Sequence, residues 1–119
     1  MTDPVEDFFT ALGQRGYEPL LQHNSGSIRF DLLDGGVTDH WRVVIDRGKV
    51  TVGREEAAAD TVVTQGRPVL VDAVVGKQNL LNAIMLGQVG LTGDIERLVS
   101  FQRLFGHRPQ MATTQTARR

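Results

Sequence analysis

Residues 74–94 read VVGKQNLLNAIMLGQVGLTGD, and this stretch decides the fold because glycines divide a nearly continuous apolar run. Between Gly76 and Gly87, the segment 79–86 has one polar residue in its interior, Asn82. A helix on a protein surface keeps a whole polar face, so this segment is too apolar for that position. The pattern predicts a short helix that packs on two sides, or that packs on one side and faces an apolar cavity.

Three glycines of this stretch, Gly87, Gly90 and Gly93, are spaced three residues apart. A phosphate-binding loop needs G-x-G-x-x-G or G-x-x-x-x-G-K-S/T between a strand and a helix, and here Asp94 follows the last glycine. Gly87 instead suits the left-handed residue that ends a helix, and Asp94 suits the N-cap of the next one. The glycines therefore predict boundaries around a short strand.

The last helix is predicted over Ile95–Phe105, and its apolar side is unusually wide. On a helical wheel it spans roughly 160°, which exceeds the stripe that one sheet face requires. Gln102 falls inside that arc and must find a buried partner, face water or meet a polar group of a ligand. Either this helix is wedged between the sheet and a neighbouring helix, or its edge at Phe101, Leu104 and Phe105 borders a cavity.

Upstream of the opening stretch, residues 3–6 read DPVE, which is a capping box with proline at the first helical position. The first helix carries one apolar stripe and ends at Gly13 or Gly16. A loop is predicted over 17–26. The stripe consists of Val5, Phe8, Phe9 and Leu12.

From Ser27 onward the apolar period changes from 3.6 to 2, which indicates strands. Gly35-Gly36 and Arg47-Gly48 separate three alternating runs, so the pattern predicts a three-stranded antiparallel meander with one apolar face. A fourth strand is predicted at about 60–64, and a helix over 69–75 that Gly76 ends. The alternating apolar positions are Ile28, Phe30, Leu32, Trp41, Val43, Ile45, Val50 and Val52.

Composition bounds the class of protein. The chain has 119 residues, a formal net charge of −1 and no cysteine, which favours one domain and excludes disulfides and thiolate sites. Its thirteen Lys and Arg residues are scattered among fourteen acids, without the basic stripe that nucleic acid requires. No run is long enough to span a membrane, and no cofactor or metal motif is present. We expect a cytoplasmic protein with one domain over 1–106 and a mobile tail over 107–119.

Residues 41–105 resemble the sterol carrier protein type-two domain, a lipid-binding family. The resemblance follows the hairpin HWRVVIDRGKVTVG, the strand ADTVVT, the segment VVGKQNLLNAIMLG and the strand-turn QVGLTGD. Gln88 and Gly90 stand where basic residues are common in that family, so this strand is not expected to hold an anionic headgroup. Arginine outnumbers lysine, which points to a bacterial source.

The resemblance implies an α+β fold, with a five-stranded, mostly antiparallel sheet, helices on one face and an apolar tunnel between the layers. It also implies non-catalytic carriage of a fatty acid, fatty acyl-CoA, sterol or similar lipid, without stable membrane insertion. Met85 is the favoured contact because a flexible thioether adapts to ligands of different shape. The expected ligand-binding residues are Phe30, Trp41, Val43, Ile45, Val74, Leu80, Ile84, Met85, Phe101, Leu104 and Phe105.

Two alternatives remain. An enzyme would have to use His23, His40 or His107, but the sequence has no nucleophile elbow and no H-E-x-x-H motif. The excess apolar surface of the last helices could also form a homodimer or a contact with a lipid-metabolism enzyme.

Overall fold

The computed structural model describes residues 3–105 and shows an α+β fold within them. Along this range a helix precedes a three-stranded meander, and two more strands alternate with three further helices. The elements are α1 Pro4–Arg15, β1 Ser25–Asp34, β2 Val37–Asp46, β3 Lys49–Gly53, β4 Thr61–Gly66, α2 Arg67–Val74, α3 Leu80–Met85, β5 Val89–Gly93 and α4 Ile95–Gln102.

The sheet has the order β3-β2-β1-β4-β5. Its β1–β4 pair is parallel and the other three pairs are antiparallel, which confirms the predicted mostly antiparallel sheet. The connection from β3 must therefore cross β2 and β1 to reach β4. Hydrogen bonds from outward-facing arginines hold this connection: Arg29 Nη1 donates to the Ala57 carbonyl at 2.9 Å, and Arg42 Nε donates to the Ala58 carbonyl at 3.1 Å.

The helices cover the other face, where alternate strand residues are buried. On that face Phe30 pairs with Trp41 across β1 and β2. The Phe9 ring of α1 stacks on Trp41 with centroids 4.9 Å apart, and Phe101 of α4 lies 5.3 Å from Phe30. Alternate residues of the strands therefore form one side of the core, and the apolar stripes of the helices form the other.

Caps and glycines end the elements much as the sequence predicts. Asp3 Oδ1 accepts the Val5 N–H, Asp94 Oδ1 accepts the Glu96 N–H, both at 2.9 Å, and Gly87 has a φ of 78°. Gly93 is required for a further reason, because its φ is 95° and a Cβ there would lie 2.1 Å from the Asp60 carbonyl oxygen.

Several predicted boundaries move. The predicted loop over 17–26 contains a short 3-10 turn, Pro19–Leu21, with Leu21 fully buried, and β1 already starts at Ser25. The last helix ends at Gln102 instead of Phe105. Leu104 and Phe105 are buried in the turn that follows. The apolar pattern therefore predicted their burial correctly, but they are not helical.

Among the described residues, no helix is long and apolar enough to cross a membrane. The predicted domain limit at 106 and the predicted tail over 107–119 lie outside the residues that the structure describes. The apolar tunnel between the layers stays a prediction.

Candidate functional site

An open groove of about 510 Å³ lies where the α2–α3 connection meets the end of α4. Its size falls in the range of small-molecule sites, roughly 300–1,000 Å³. The lining is mixed, with polar groups from the connection and apolar groups from α2 and the turn after α4. The lining residues are Ala73, Gly76, Lys77, Gln78, Asn79, Gln102 and Phe105.

The groove is shaped by the way α3 begins. Gly76 takes a φ of 86° and turns the chain away from α2. Asn79 Oδ1 then caps α3 by accepting the Leu81 N–H at 2.8 Å. The Leu80 N–H is taken by Gln102 Oε1 at 2.9 Å, which joins the start of α3 to the end of α4. Of the three outcomes predicted for Gln102, a buried partner is therefore the one observed.

One wall of the groove continues into an aromatic cluster formed by all five phenylalanines of the chain and Trp41. The Phe105 ring lies 5.0 Å from Phe8 and 5.5 Å from Phe101, measured between centroids. Ala73, on α2, is fully buried beneath the groove. A molecule seated in the groove would therefore meet polar groups at the rim and aromatic carbon below.

Most of the predicted ligand-binding residues are brought together on the inner side of the fold. Phe105 is the member of the set that lines the groove, while the other buried members belong to the core behind it. Ile84 is half-buried and packs against that core. The buried members are Phe30, Trp41, Val43, Ile45, Val74, Leu80, Phe101, Leu104 and Phe105.

Met85 does not lie between the sheet and the helices as expected. Its side chain is 84% exposed, and that of the adjacent Leu86 is 66% exposed. α3 has only six residues and buries Leu80 and Ala83 on one side. Met85 falls about 200° around the helix from Ala83, so it points into solvent. The apolar surplus of this helix is thus partly an exposed surface.

Gln65 is a buried polar residue of the inner face that was not predicted from the sequence. Thr61, Val63 and Gln65 alternate as the buried positions of β4, and Gln65 is only 2% exposed. Its Nε2 donates to the Asp31 carbonyl at 3.0 Å and lies 3.4 Å from the Val63 carbonyl oxygen. Its Oε1 is buried and has no hydrogen-bond partner within the described residues. The period-2 pattern of β4 was the signal that could have found it.

Of the three histidines named for the enzyme alternative, His40 lies on the opposite face of the sheet, and His23 is exposed before β1. His40 Nδ1 is 2.8 Å from Asp31 Oδ1, and His40 Nε2 is 3.8 Å from Glu56 Oε1. Burial raises the pKa of Asp31, but hydrogen bonds from Arg29 and His40 outweigh it and hold the pKa below its ordinary value. The carboxylate thus supports the crossover connection, away from the groove. His107 lies outside the described residues.

Comparison with known proteins identifies the class. The chain belongs to the SCP-2 sterol transfer family, whose model matches residues 9–106. Membership of this family implies binding and transfer of lipids or sterols. A comparison with curated protein sequences finds no match.

Solved structures share the fold at low sequence identity. Sterol carrier protein domain 2 of Helicoverpa armigera has a TM-score of 0.71 at 22% identity, covering 88% of this chain and 90% of that one. The palmitated SCP2L2 of Aedes aegypti has a TM-score of 0.62 at 20% identity, covering 89% and 94%. A sec-alkylsulfatase from Pseudomonas sp. has a TM-score of 0.68 at 21% identity, covering 85% of this chain and 16% of the enzyme.

Proposed function

We propose that this protein binds and carries a hydrophobic ligand, without chemical change, in a tunnel that opens at the groove between the α2–α3 connection and α4. The observation that carries the proposal is the continuity of this groove with the aromatic cluster through Phe105. A polar rim over an aromatic interior suits a ligand whose apolar body is buried beyond the rim. The palmitated relative supports a chain-like ligand.

The energetics allow such binding without a charged clamp. Each buried methylene contributes about 0.8 kcal/mol, so sixteen give a gross term on the order of 13 kcal/mol. Ordering and lost translation remove several kcal/mol of this, which leaves micromolar or tighter affinity. One methylene more or less changes the affinity only modestly, so selectivity for chain length is broad.

Entry of a chain requires the interior to open, because the inner residues are in close contact in this structure. The end of α4 is the proposed gate: Gln102 ties it to α3 through one hydrogen bond, and Leu104 and Phe105 lie in a turn beyond the helix. Movement of this turn would displace the Phe105 ring and join the groove to the space beneath.

The experiment is native mass spectrometry of the purified protein, followed by calorimetric titration with a C16 fatty acid or a sterol. Gln78→Trp places a large side chain on the half-buried rim of the groove, and Gln14→Trp changes an exposed position of α1 as a control. We expect a co-purified or titrated ligand at one per chain, and at least a tenfold loss of affinity in Gln78→Trp alone. Absence of uptake by the unmodified protein, or equal affinity of both variants, would contradict the proposal.

A second candidate is an interaction or dimerisation module, which the exposed Met85 and Leu86 favour. The alkylsulfatase, of which only 16% corresponds to this chain, shows that the fold occurs within larger enzymes. A lipid-free protein whose mass rises with concentration, and falls to that of a monomer in Met85→Ser/Leu86→Ser, would favour this alternative over carriage.

A further inference from the structure

We infer that Gln65 selects the chemical class of the ligand: its amide oxygen accepts a hydrogen bond from a neutral hydroxyl group, so that alcohols bind in preference to ethers, esters and carboxylates. The inference rests on the proposed function, because the amide faces the layer in which the ligand would lie. Packing within the fold explains why Gln65 is buried, but it does not explain its amide oxygen, which is unpaired within the described residues.

Gln65 is the last buried residue of β4, and its partners on the two neighbouring strands are apolar. Across the sheet it pairs with Leu32 on β1 and Val89 on β5, which are 0% and 6% exposed. α2 follows directly after Gly66 and packs over β1 and β4. The Gln65 side chain therefore lies on the inner face, between the sheet and α2.

The hydrogen-bonding capacity of the amide is half used. In the described structure, the two side-chain interactions of Gln65 are both made by Nε2, with the carbonyl oxygens of Asp31 and Val63. These two acceptors fix the orientation of the amide, because turning it over would place Oε1 against carbonyl oxygens. Among residues 3–105, no donor reaches the buried Oε1, and native cores avoid such an arrangement because it is costly.

The missing partner must be a donor, and this decides the ligand class. A hydroxyl can donate one hydrogen bond to Oε1. An ether or an ester has no O–H, and an ionised carboxylate can only accept, so it would face the amide oxygen with like partial charge. An alcohol is thus the amphiphile whose polar end completes this site.

The position of Gln65 also sets the orientation of the ligand. The groove opens beside Ala73 at the end of α2, whereas Gln65 precedes the start of that helix. Eight residues of α2 span about 12 Å. A hydroxyl that reaches Gln65 therefore enters first, and the apolar body follows beneath α2 toward the groove.

The experiment compares ligands that differ only in the donor, using calorimetry or displacement of a fluorescent fatty acid. One arm uses 1-tetradecanol and its methyl ether, and the other uses cholesterol and its 3-methyl ether. The two arms distinguish a fatty alcohol from a sterol as the ligand that carries the hydroxyl group. The variant is Gln65→Met, which keeps side-chain length without the amide, and Gln14→Met on the exposed surface of α1 is its control.

We expect the unmodified protein and Gln14→Met to bind the alcohol roughly tenfold more tightly than its ether in at least one arm. In Gln65→Met this ratio should fall to about one, an effect that a purely structural role would not produce. A ratio near one in the unmodified protein already overturns the inference, so the test remains valid even if Gln65→Met does not fold.

Equal affinity for alcohol and ether in both arms, or a ratio that survives Gln65→Met, would overturn the inference while leaving lipid carriage intact. Failure of the unmodified protein to bind any of the four ligands would overturn both proposals. A buried water that satisfies Oε1 would give the first of these results.

Discussion

Phe101 is fully buried, and the rings of the four other phenylalanines surround it at centroid distances of 5.3 to 6.4 Å. Its neighbours come from α1, β1 and the turn after α4, so this one side chain joins the first helix, the sheet and the last helix. Stacked, tilted and edge-to-face ring pairs of this kind stabilise the fold beyond the effect of burial alone. At the residue scale, the core is therefore centred on Phe101.

Phe101→Ala should lower the free energy of unfolding by about 3–5 kcal/mol, because it removes the ring and leaves a cavity among rigid neighbours. Urea unfolding followed by Trp41 fluorescence measures the change. Val99→Ala, on the same helix but 46% exposed, is the matched control and should cost less than about 1 kcal/mol. Similar losses in the two variants would contradict the central position of Phe101.

Asp31 gives a pH dependence with a defined sign. Its folded-state pKa is lowered from 3.8, so the unfolded chain takes up the proton first as the pH falls. The stabilisation is complete above the unfolded-state pKa and is lost as the pH drops through the folded-state pKa. Arg29, His40 and Glu56 are the charged groups that face this carboxylate or its partners.

The free energy of unfolding should therefore fall more steeply between about pH 5 and pH 3 in the unmodified protein than in Asp31→Asn. Chemical unfolding at a series of pH values measures the two slopes. Asp46→Asn, whose side chain is 70% exposed at the end of β2, should keep the slope of the unmodified protein. Identical slopes for the unmodified protein and Asp31→Asn would refute the assignment.

At the element scale, α3 is held by its ends rather than by its length. Six residues are too few for an isolated helix, so its stability must come from caps and tertiary contacts. Asn79 supplies a local cap, and Gln102 supplies a distant one by accepting the Leu80 N–H. The start of α3 and the end of α4 thus form a single hydrogen-bonded unit beside the groove.

Gln102→Met should accelerate hydrogen exchange of the Leu80 amide by roughly tenfold or more, since its buried N–H loses the acceptor. Exchange measured residue by residue by NMR gives the result. Gln102→Glu retains an acceptor oxygen and should keep the protection. If the Leu80 amide exchanges equally in both variants, the hydrogen bond does not hold α3 in solution.

At the scale of the whole molecule, bound ligand should stabilise the fold because the unfolded chain has no interior to offer it. At a hundred times the dissociation constant, the gain is about 2.7 kcal/mol. For a domain of this size we expect a rise in Tm of roughly 5–15 °C, measured by calorimetry with 1-tetradecanol. Gln78→Trp, with at least a tenfold loss of affinity, should show about half of this rise or less. An unchanged Tm in the unmodified protein at saturating alcohol would contradict binding to the folded state.

Sequence reasoning reached the order of the elements, the sheet's mostly antiparallel character and the inner face, because periodicity and glycine positions are local signals. It placed Met85 wrongly, since six residues of helix gave too short a pattern to fix which side faces the core. It overlooked Gln65, because the fourth strand was predicted to end at about residue 64, which left Gln65 outside the alternation. The predicted end of α4 was wrong because the apolar pattern continues to Leu104 and Phe105, which are buried without being helical.

What the sequence determined by itself was the set of strands and helices and the apolar face that each one buries, because side-chain periodicity and backbone caps act over a few residues. What only the tertiary structure decided was which distant groups meet. Gln102 caps a helix 22 residues away, and Phe105 joins the groove to the aromatic cluster. The amide oxygen of Gln65 is buried without a donor in the described part of the chain. These features depend on how the layers pack, and packing couples residues whose separation in sequence carries no local signal.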